Sequence, residues 1–444
     1  MNAEQVADYV LKALLKRRVD DAVVMASERI SQQIKFSNNK VNAIKTLEQN
    51  SVSLFAVKDK RLVSTAIRDI STASADSVVD KVIDFLKSAP ENKGYGGIAQ
   101  GPFKYSEISR GFDKEVMSNP QLGAELVEQA ISRAVDLGIE RSAGVLELSN
   151  DDIFLKSSNS VDVSDKATRL YFSMRCFADK EASGHMVTAS RDLRGFEVEA
   201  AVNKAAHIAE MAKKPEAVEP GKYAVLFDHL AFSNMLDRAG MAASAFSVEA
   251  GLSFLADRLG QKVASDIVTL KDSGNLENGF GSDKFDEEGV PTRENTIIES
   301  GKLNTYLHNT STAKRFNTTT TANAGLVSPT TFNLVLKPGK HSFESLLSTI
   351  KRGLYITNVW YTRFQNYHSG DFSTIPRDGI FLIENGEIKH AVKELRVSDN
   401  MINLLQSISA IGSEPKQIFG WEVETPVVTP MAVVDDLRIT KSEG

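Results

Sequence analysis

A hexapeptide that occurs twice constrains the fold of this chain more than any other feature. Thr65-Ala66-Ile67-Arg68-Asp69-Ile70 returns as Thr188-Ala189-Ser190-Arg191-Asp192-Leu193. Each copy follows a stretch of period-two hydrophobicity and precedes a helical stripe. Before the first copy, Val6, Val10, Ala13 and Leu14 recur at helical spacing, and Lys16, Arg17 and Arg18 close that helix where its dipole favours cations. From Asp21 to Ile70 the period becomes two, as in Ile30, Gln32, Ile34 and Phe36, with turns expected at Asn38-Asn39 and Asp59-Lys60. Val79, Val82, Ile83 and Leu86 then line one face of a helix that Ser74 or Asp76 caps. The order repeats: a stripe of Leu122, Leu126, Val127, Ala130, Ile131 and Ala134, strand-like segments from Ala143 to Ser190, and a helix over Phe196 to Met211. We therefore expect repeat units over 1–90 and 118–212 inside an N-terminal α+β domain, residues 1–212. Gly-rich Ala89 to Pro102 separates the units, and Lys213 to Gly221, with Pro215 and Pro220, marks the domain boundary.

The second domain, residues 221–444, reads as a mixed, mostly antiparallel β domain with helices, so the fold class is α+β. A strand over Lys222 to Phe227 leads into a long helical region ending near Gly260. Hairpins follow at Ile297 to Leu307, turning on Ser300-Gly301, and at Gly379 to Val392, turning on Asn385-Gly386, a dipeptide suited to two left-handed residues. Helices are expected near Ser342 to Arg352 and Ser398 to Ile411.

Composition excludes several chemistries. Cys176 is the single cysteine, which rules out an intrachain disulfide and any thiolate cluster; within strand-like Leu170 to Phe177 it reads as a buried, inert thiol. The 52 basic and 58 acidic residues are spread along the chain, which argues against a nucleic-acid surface. Charged residues interrupt the first twenty positions and no membrane-spanning run appears, so no membrane association and a cytoplasmic location are expected. Gly94-Tyr95-Gly96-Gly97-Ile98-Ala99 matches a dinucleotide fingerprint as a string, but a helix and Pro90 precede it where a strand is required, so it reads as a linker. Neither a phosphate-loop lysine motif nor a G-x-S-x-G elbow occurs. None of the seven histidines precedes a glutamate and no two lie closer than twenty-two positions, so the paired imidazoles of a zinc peptidase helix cannot form. His308, His368 and His390 read as scattered rather than as a cluster, and acidic Asp272 to Arg293 as a solvated connection without Ca²⁺-loop spacing. The most polar and aromatic-rich irregular stretch is Trp360 to Asp371. Aromatic faces there offer contact area, and Arg363, His368 and Asp371 offer directional polar groups, so these three are the candidate substrate-binding residues; a loop packed on its own aromatics is the competing reading.

Three strings in the second half, Gly260-Gln261-Lys262-Val263-Ala264-Ser265, Phe285-Asp286-Glu287-Glu288-Gly289-Val290-Pro291-Thr292 and Ile383-Glu384-Asn385-Gly386-Glu387-Ile388, together resemble the TldD/PmbA family of peptidase-related proteins. The Ser64-Thr65 end of the first strand meander is similar too. The resemblance implies a specific comparison. TldD-branch members hold zinc with a helical H-E-x-x-x-H and a cysteine near the C-terminus. Here that window falls on Leu236-Asp237-Arg238-Ala239-Gly240-Met241, so Leu236 and Met241 stand in place of the histidines, Asp237 in place of the base, and Phe419 in place of the cysteine. The chain thus resembles the PmbA (TldE) branch. That implies no zinc and no catalytic residue in this chain, zinc only in a TldD-like partner subunit, and a role in proteolysis or peptide processing by binding unfolded peptide and completing the active chamber. Two alternatives stay open: a self-associating, homo-oligomeric peptide-binding scaffold with no catalytic role, and independent peptide cleavage by some other carboxylate or histidine arrangement.

Overall fold

The computed structural model describes residues 1–441. The first helix, α1 (Ala3–Lys16), opens with a capping box in which the Asn2 and Gln5 side chains each accept the other residue's backbone N–H. It buries Ala3, Val6, Ala7, Val10 and Leu14. Strands β1 (Asp21–Ser37), β2 (Lys40–Lys58) and β3 (Arg61–Ile67) follow, then α2 (Thr72–Ser88). The two turns fall where the sequence puts them: Asn38 and Asn39 have φ of 52° and 57°, Asp59 and Lys60 of 50° and 58°. Left-handed residue pairs match the twist of the strands they join. Helix α3 (Leu122–Asp136), strands β4 (Arg141–Ser157), β5 (Asp162–Phe177) and β6 (Ser183–Ser190), and α4 (Val198–Met211) repeat that order.

All six strands form one antiparallel sheet in the order β3-β2-β1-β4-β5-β6. Its seam is the long β1–β4 pairing, Val23 opposite Ser157 through Ser37 opposite Ala143. The four helices cover one face, and the cover is crossed: Phe154 of β4 packs on the α1–α2 cluster, while Ile34 and Phe36 of β1 join Val127 and Ala130 of α3. Val23, Phe55, Val57 and Leu155 point to the other face, where they cluster with Ile98, Val161 and Phe285. Cys176 is buried, and burial pushes its thiol up to about 12.

The C-terminal half contains β7 (Glu216–Ala217), β8 (Gly221–Phe227), α5 (His229–Ala242), α6 (Ala245–Glu249), β9 (Leu270–Ser273), β10 (Glu294–Glu299), β11 (Lys302–Leu303), α7 (Thr310–Arg315), β12 (Leu334–Leu336) and α8 (Phe343–Ser348). It continues with β13 (Arg352–Asn366), β14 (Asp371–Glu384), β15 (Glu387–Lys393), β16 (Leu395–Asn400), α9 (Met401–Gln406), β17 (Ile408–Ile411), β18 (Lys416–Gly420), β19 (Val423–Thr429) and β20 (Ala432–Lys441). One sheet runs β11-β10-β9-β12-β19-β18; the larger runs β13-β8-β20-β16-β14-β15-β7. Pairing is antiparallel except at β8–β13, β12–β19 and β7–β15. Turns at Ser300-Gly301 and Asn385-Gly386 carry positive φ at both residues.

Several expectations change. Asp272 to Arg293 is not a solvated connection, since Asp272, Asp286 and Glu288 are buried and held by backbone amides, and α2 is capped by Ser71 rather than by Ser74 or Asp76. The helical region after β8 breaks into α5 and α6 and is irregular from about 250 to 263. The helices near 342 and 398 shrink to six residues each, and the expected Ser398–Ile411 helix is flanked by β16 and β17. Trp360 to Asp371 is not an irregular loop but the far end of the β13–β14 hairpin. Its Trp, Tyr, Thr and Phe residues suit a strand. The period-two signal is lost because the register shifts between Trp360 and Arg363, with Tyr361 at a φ of 58°.

The halves are joined by paired charges. From the second helix–strands–helix unit, Arg169 reaches Asp283 at 3.0 Å, Arg175 reaches Asp378 at 2.9 Å and Lys204 reaches Asp228 at 3.0 Å. The second hexapeptide joins them: Arg191 is fully buried and donates to the carbonyls of Gly111, Gly279 and Ser282. Arg68, its counterpart in the first copy, is exposed.

Candidate functional site

Helix α5 lies in the core along most of its length, because Leu230, Phe232 and Leu236 face inward. Asp237 is also buried. Its carboxylate accepts the backbone N–H of Glu424 at 3.2 Å and of Thr425 at 3.1 Å, which pins the start of β19 to the helix. Burial raises its pKa, partly offset by Arg238 and those two amides. Asn234 holds the preceding turn through the Glu422 carbonyl at 2.9 Å, and its side-chain oxygen accepts from Thr362 of β13 at 2.6 Å. The Thr362 amide in turn donates to the Glu422 carboxylate at 3.2 Å.

Where α5 ends, its last turn opens on a cavity of about 420 Å³. Arg238, Met241, Arg363 and Glu424 line it over a floor of Phe254, Phe364 and Tyr367. The floor is stacked: Phe254 to Phe364 at 6.1 Å, Phe364 to Tyr367 at 4.9 Å. Arg238 donates to Met241 Sδ at 3.3 Å and to the Glu422 carbonyl at 3.4 Å, and its buried Nε has no partner. Beside the cavity, β8 pairs with β13 only over Gly353–Ile356, so β13 from Asn358 onward carries β14 as its one strand neighbour. An apolar floor, two guanidiniums and one carboxylate can take up side chains of mixed character, while the β13 edge is partly filled by Glu422 on the Thr362 amide and by the Trp421 indole on the Val359 carbonyl at 3.0 Å.

The structure separates the three candidate substrate-binding residues. Arg363 lines this cavity and stacks on Tyr361 at 4.3 Å. His368 is exposed at the hairpin tip, where its amide donates to Asn366. Asp371 lines a different, polar cavity of about 630 Å³ and serves the turn: it accepts from Asn400 at 2.9 Å and Ser369 at 2.6 Å, contacts that hold its carboxyl below the usual range. Sequence reasoning missed Arg238, Thr362 and Glu424, which come together only through the β13 bulge and the packing of β19 on α5.

The four positions compared with the TldD zinc site do not form a donor set. Leu236 is fully buried, Met241 is exposed at the cavity, and Phe419 packs against Phe280 at 4.6 Å and edge-to-face with Tyr171 at 5.9 Å. Leu and Phe have no lone pair to give, the Met241 thioether is a single neutral and weak donor, and both Asp237 oxygens serve backbone amides. Among the described residues, no group of three or more His, Cys, Asp or Glu is arranged to hold a metal ion. Asp237 is therefore a structural tie, and Asp237→Ala, which strands two amides of β19, is expected to cost about 2 kcal/mol in urea unfolding.

Comparison with known proteins follows the same lines. A family model described as the PmbA/TldA metallopeptidase C-terminal domain matches residues 220–441. A metalloprotease of Methanocaldococcus jannaschii is 31% identical over 287 residues, covering 60% of this chain and 62% of that protein. A PmbA homologue of Haemophilus influenzae is 28% identical over 201 residues, 45% of this chain and 43% of that one. The matched region thus spans less than two thirds of either relative. The crystal structure of TldE from Thermococcus kodakarensis superposes with a TM-score of 0.88 at 20% identity, covering 98% of this chain and all of that one, which shows a shared fold. Among the described residues no helix is long and apolar enough to cross a membrane. With half of its length matched by the family model, the chain belongs to the TldD/PmbA metallopeptidase family.

Proposed function

We propose that this chain is the metal-free counterpart of a TldD-type metallopeptidase. It pairs in the cytoplasm with a zinc-bearing subunit, completes the active chamber and holds unfolded peptide there for proteolysis. The observation that carries the reading is the state of α5: Leu236 in the core, Met241 on the cavity wall, and Asp237 occupied by two amides of β19. Water activation needs an ion with an open coordination position, and these side chains offer no grip for one. The cavity beside Arg238 and Arg363 supplies peptide contacts, through its aromatic floor and two guanidiniums, without chemistry of its own. The likeness to TldE supports the same reading.

The test is to purify the chain alone and together with an H-E-x-x-x-H subunit from its native organism. We expect a stable complex that cleaves unfolded peptide and loses that activity on chelation, while the chain alone carries no zinc and cleaves nothing. Stoichiometric zinc on the chain alone, with chelator-sensitive cleavage, overturns the reading. A stable homo-oligomer that ignores such a subunit makes the chain a scaffold.

A further inference from the structure

Three large aromatic side chains stand on the surface beside the α5 cavity. Trp360 and Tyr361 sit on the β13 bulge and Trp421 in the β18–β19 turn, with relative exposures of 39%, 47% and 37%. Tyr361 and Trp421 have φ of 58° and 60°. The left-handed region crowds Cβ against the backbone and costs a bulky residue about 1–2 kcal/mol. Both residues therefore hold a strained conformation; Tyr361 places its ring in water, while the Trp421 ring is half-covered, with His185 edge-on at 5.0 Å. The Trp421 indole N–H is anchored on the Val359 carbonyl at 3.0 Å, so that ring is held in place.

Guanidinium groups layer these rings. Arg377 lies over Trp360 at 4.9 Å and over Trp421 at 5.9 Å, Arg363 over Tyr361 at 4.3 Å, and Arg175 over Trp421 at 4.6 Å. Arg175 is paired with Asp378 at 2.9 Å. Arg363 and Arg377 are exposed, and neither has a carboxylate within 4.0 Å among the described residues, although the chain carries 58 acidic against 52 basic residues. Arg363 Nη1 donates to the Thr362 carbonyl at 2.8 Å, which leaves its other N–H groups and those of Arg377 to donate to a carboxylate. Trp, Tyr and Arg also dominate the binding energy of protein interfaces.

We propose that this surface receives acidic stretches of an extended polypeptide, with aromatic or aliphatic side chains on the rings and carboxylates on Arg363 and Arg377. The inference rests on the peptide-holding reading above and names the peptide chemistry. Arg363 belongs to both the cavity and this surface, so one bound strand can run from one to the other. Single-stranded nucleic acid also stacks on aromatic rings, but it needs a basic groove that follows its backbone, whereas this chain has a net charge of −6 and the patch offers two unpaired cations.

Trp360 and Trp421 are the two tryptophans of the chain, so intrinsic emission reports directly on the proposed surface. The probes are peptides of equal length, each with one Phe, built on Glu, Gln or Lys, and an oligothymidylate. The Glu peptide is expected to shift tryptophan emission saturably, with affinity that falls as salt rises. In Arg363→Gln/Arg377→Gln its affinity is expected to drop about tenfold, with unchanged circular dichroism and melting temperature. Equal affinity for the Glu and Gln peptides sinks the acidic preference and leaves the peptide-holding reading intact. No binding of any peptide, by emission or calorimetry, sinks both. Tighter binding of the oligothymidylate, or a sedimentation change in the double variant without a change in Glu-peptide affinity, overturns the proposal in favour of nucleic acid or of a second copy.

Discussion

Arg191→Ala is expected to lower the unfolding free energy by about 4 kcal/mol, while Arg68→Ala, at the same place in the first hexapeptide, should change it by less than about 0.5 kcal/mol. The chemistry of the two side chains is identical; their surroundings are not. Arg191 is fully buried between the halves of the molecule, with Nε on the Gly111 carbonyl at 3.0 Å and Nη1 on Gly279 and Ser282. Burial pulls its pKa down to about 10, with Asp283, Asp165 and Asp151 pulling the other way, so it stays charged at neutral pH. Truncation opens a void, leaves three carbonyls short of a donor and removes the cation those carboxylates face. Arg68 is exposed and has no such role. Urea unfolding of the two variants side by side checks this; equal losses would mean that the buried guanidinium does not bind the two halves together.

The second large effect is a pH dependence. Three carboxyls that face no cation are desolvated in the C-terminal half. Burial pushes Asp272 up to about 7, Asp286 to about 8 and Glu288 to about 7, against the hydrogen bonds each one accepts. Asp286 gathers the amides of Glu288, Val290 and Ala324 at 2.9–3.0 Å. Glu288 ties the linker to α7 through the amides of Ala99 at 3.0 Å and Thr310 at 3.3 Å. In the unfolded chain these groups titrate near 4, so between there and 7–8 the native state binds more protons. Their contribution to stability is full below about pH 4 and is lost as pH rises through 7 and 8. Glu288→Gln removes one of them, so the fall in unfolding free energy between pH 5 and 8 should shrink by up to about 3 kcal/mol. The check is urea unfolding at several pH values in that window; a parallel fall in the variant would show that Glu288 ionises normally.

Local signals made much of the fold legible. Asn38-Asn39, Asp59-Lys60, Ser300-Gly301 and Asn385-Gly386 all form tight turns with positive φ, because those residue types tolerate the left-handed region and the flanking period-two pattern sets the strands. The two hexapeptides occupy like places: Asp69 accepts the Ser71 amide and Asp192 the Gly195 amide, each at 2.9 Å, as the chain leaves a strand for a helix. What stayed hidden depends on tertiary context. The bulge at Tyr361 disguises a strand as a loop, since an extra residue breaks the alternation. The role of Asp237 depends on amides nearly two hundred residues away, and the site around Arg238 and Glu424 exists only once β19 lies on α5. Of the three loop candidates, the spacing of Arg363, His368 and Asp371 on a hairpin sends them to different surroundings, a separation that composition alone does not reveal.

The crossed cover of the N-terminal sheet limits how this chain can come apart. Because Ile34 and Phe36 are roofed by α3, and Phe154 by α1 and α2, neither unit owns a complete hydrophobic core. A fragment ending near residue 118 would leave the far end of β1 bare on its apolar side, prone to collapse or aggregation. The two units are thus expected to melt in a single cooperative step, and proteolytic trimming of one would unravel the other rather than release a stable half.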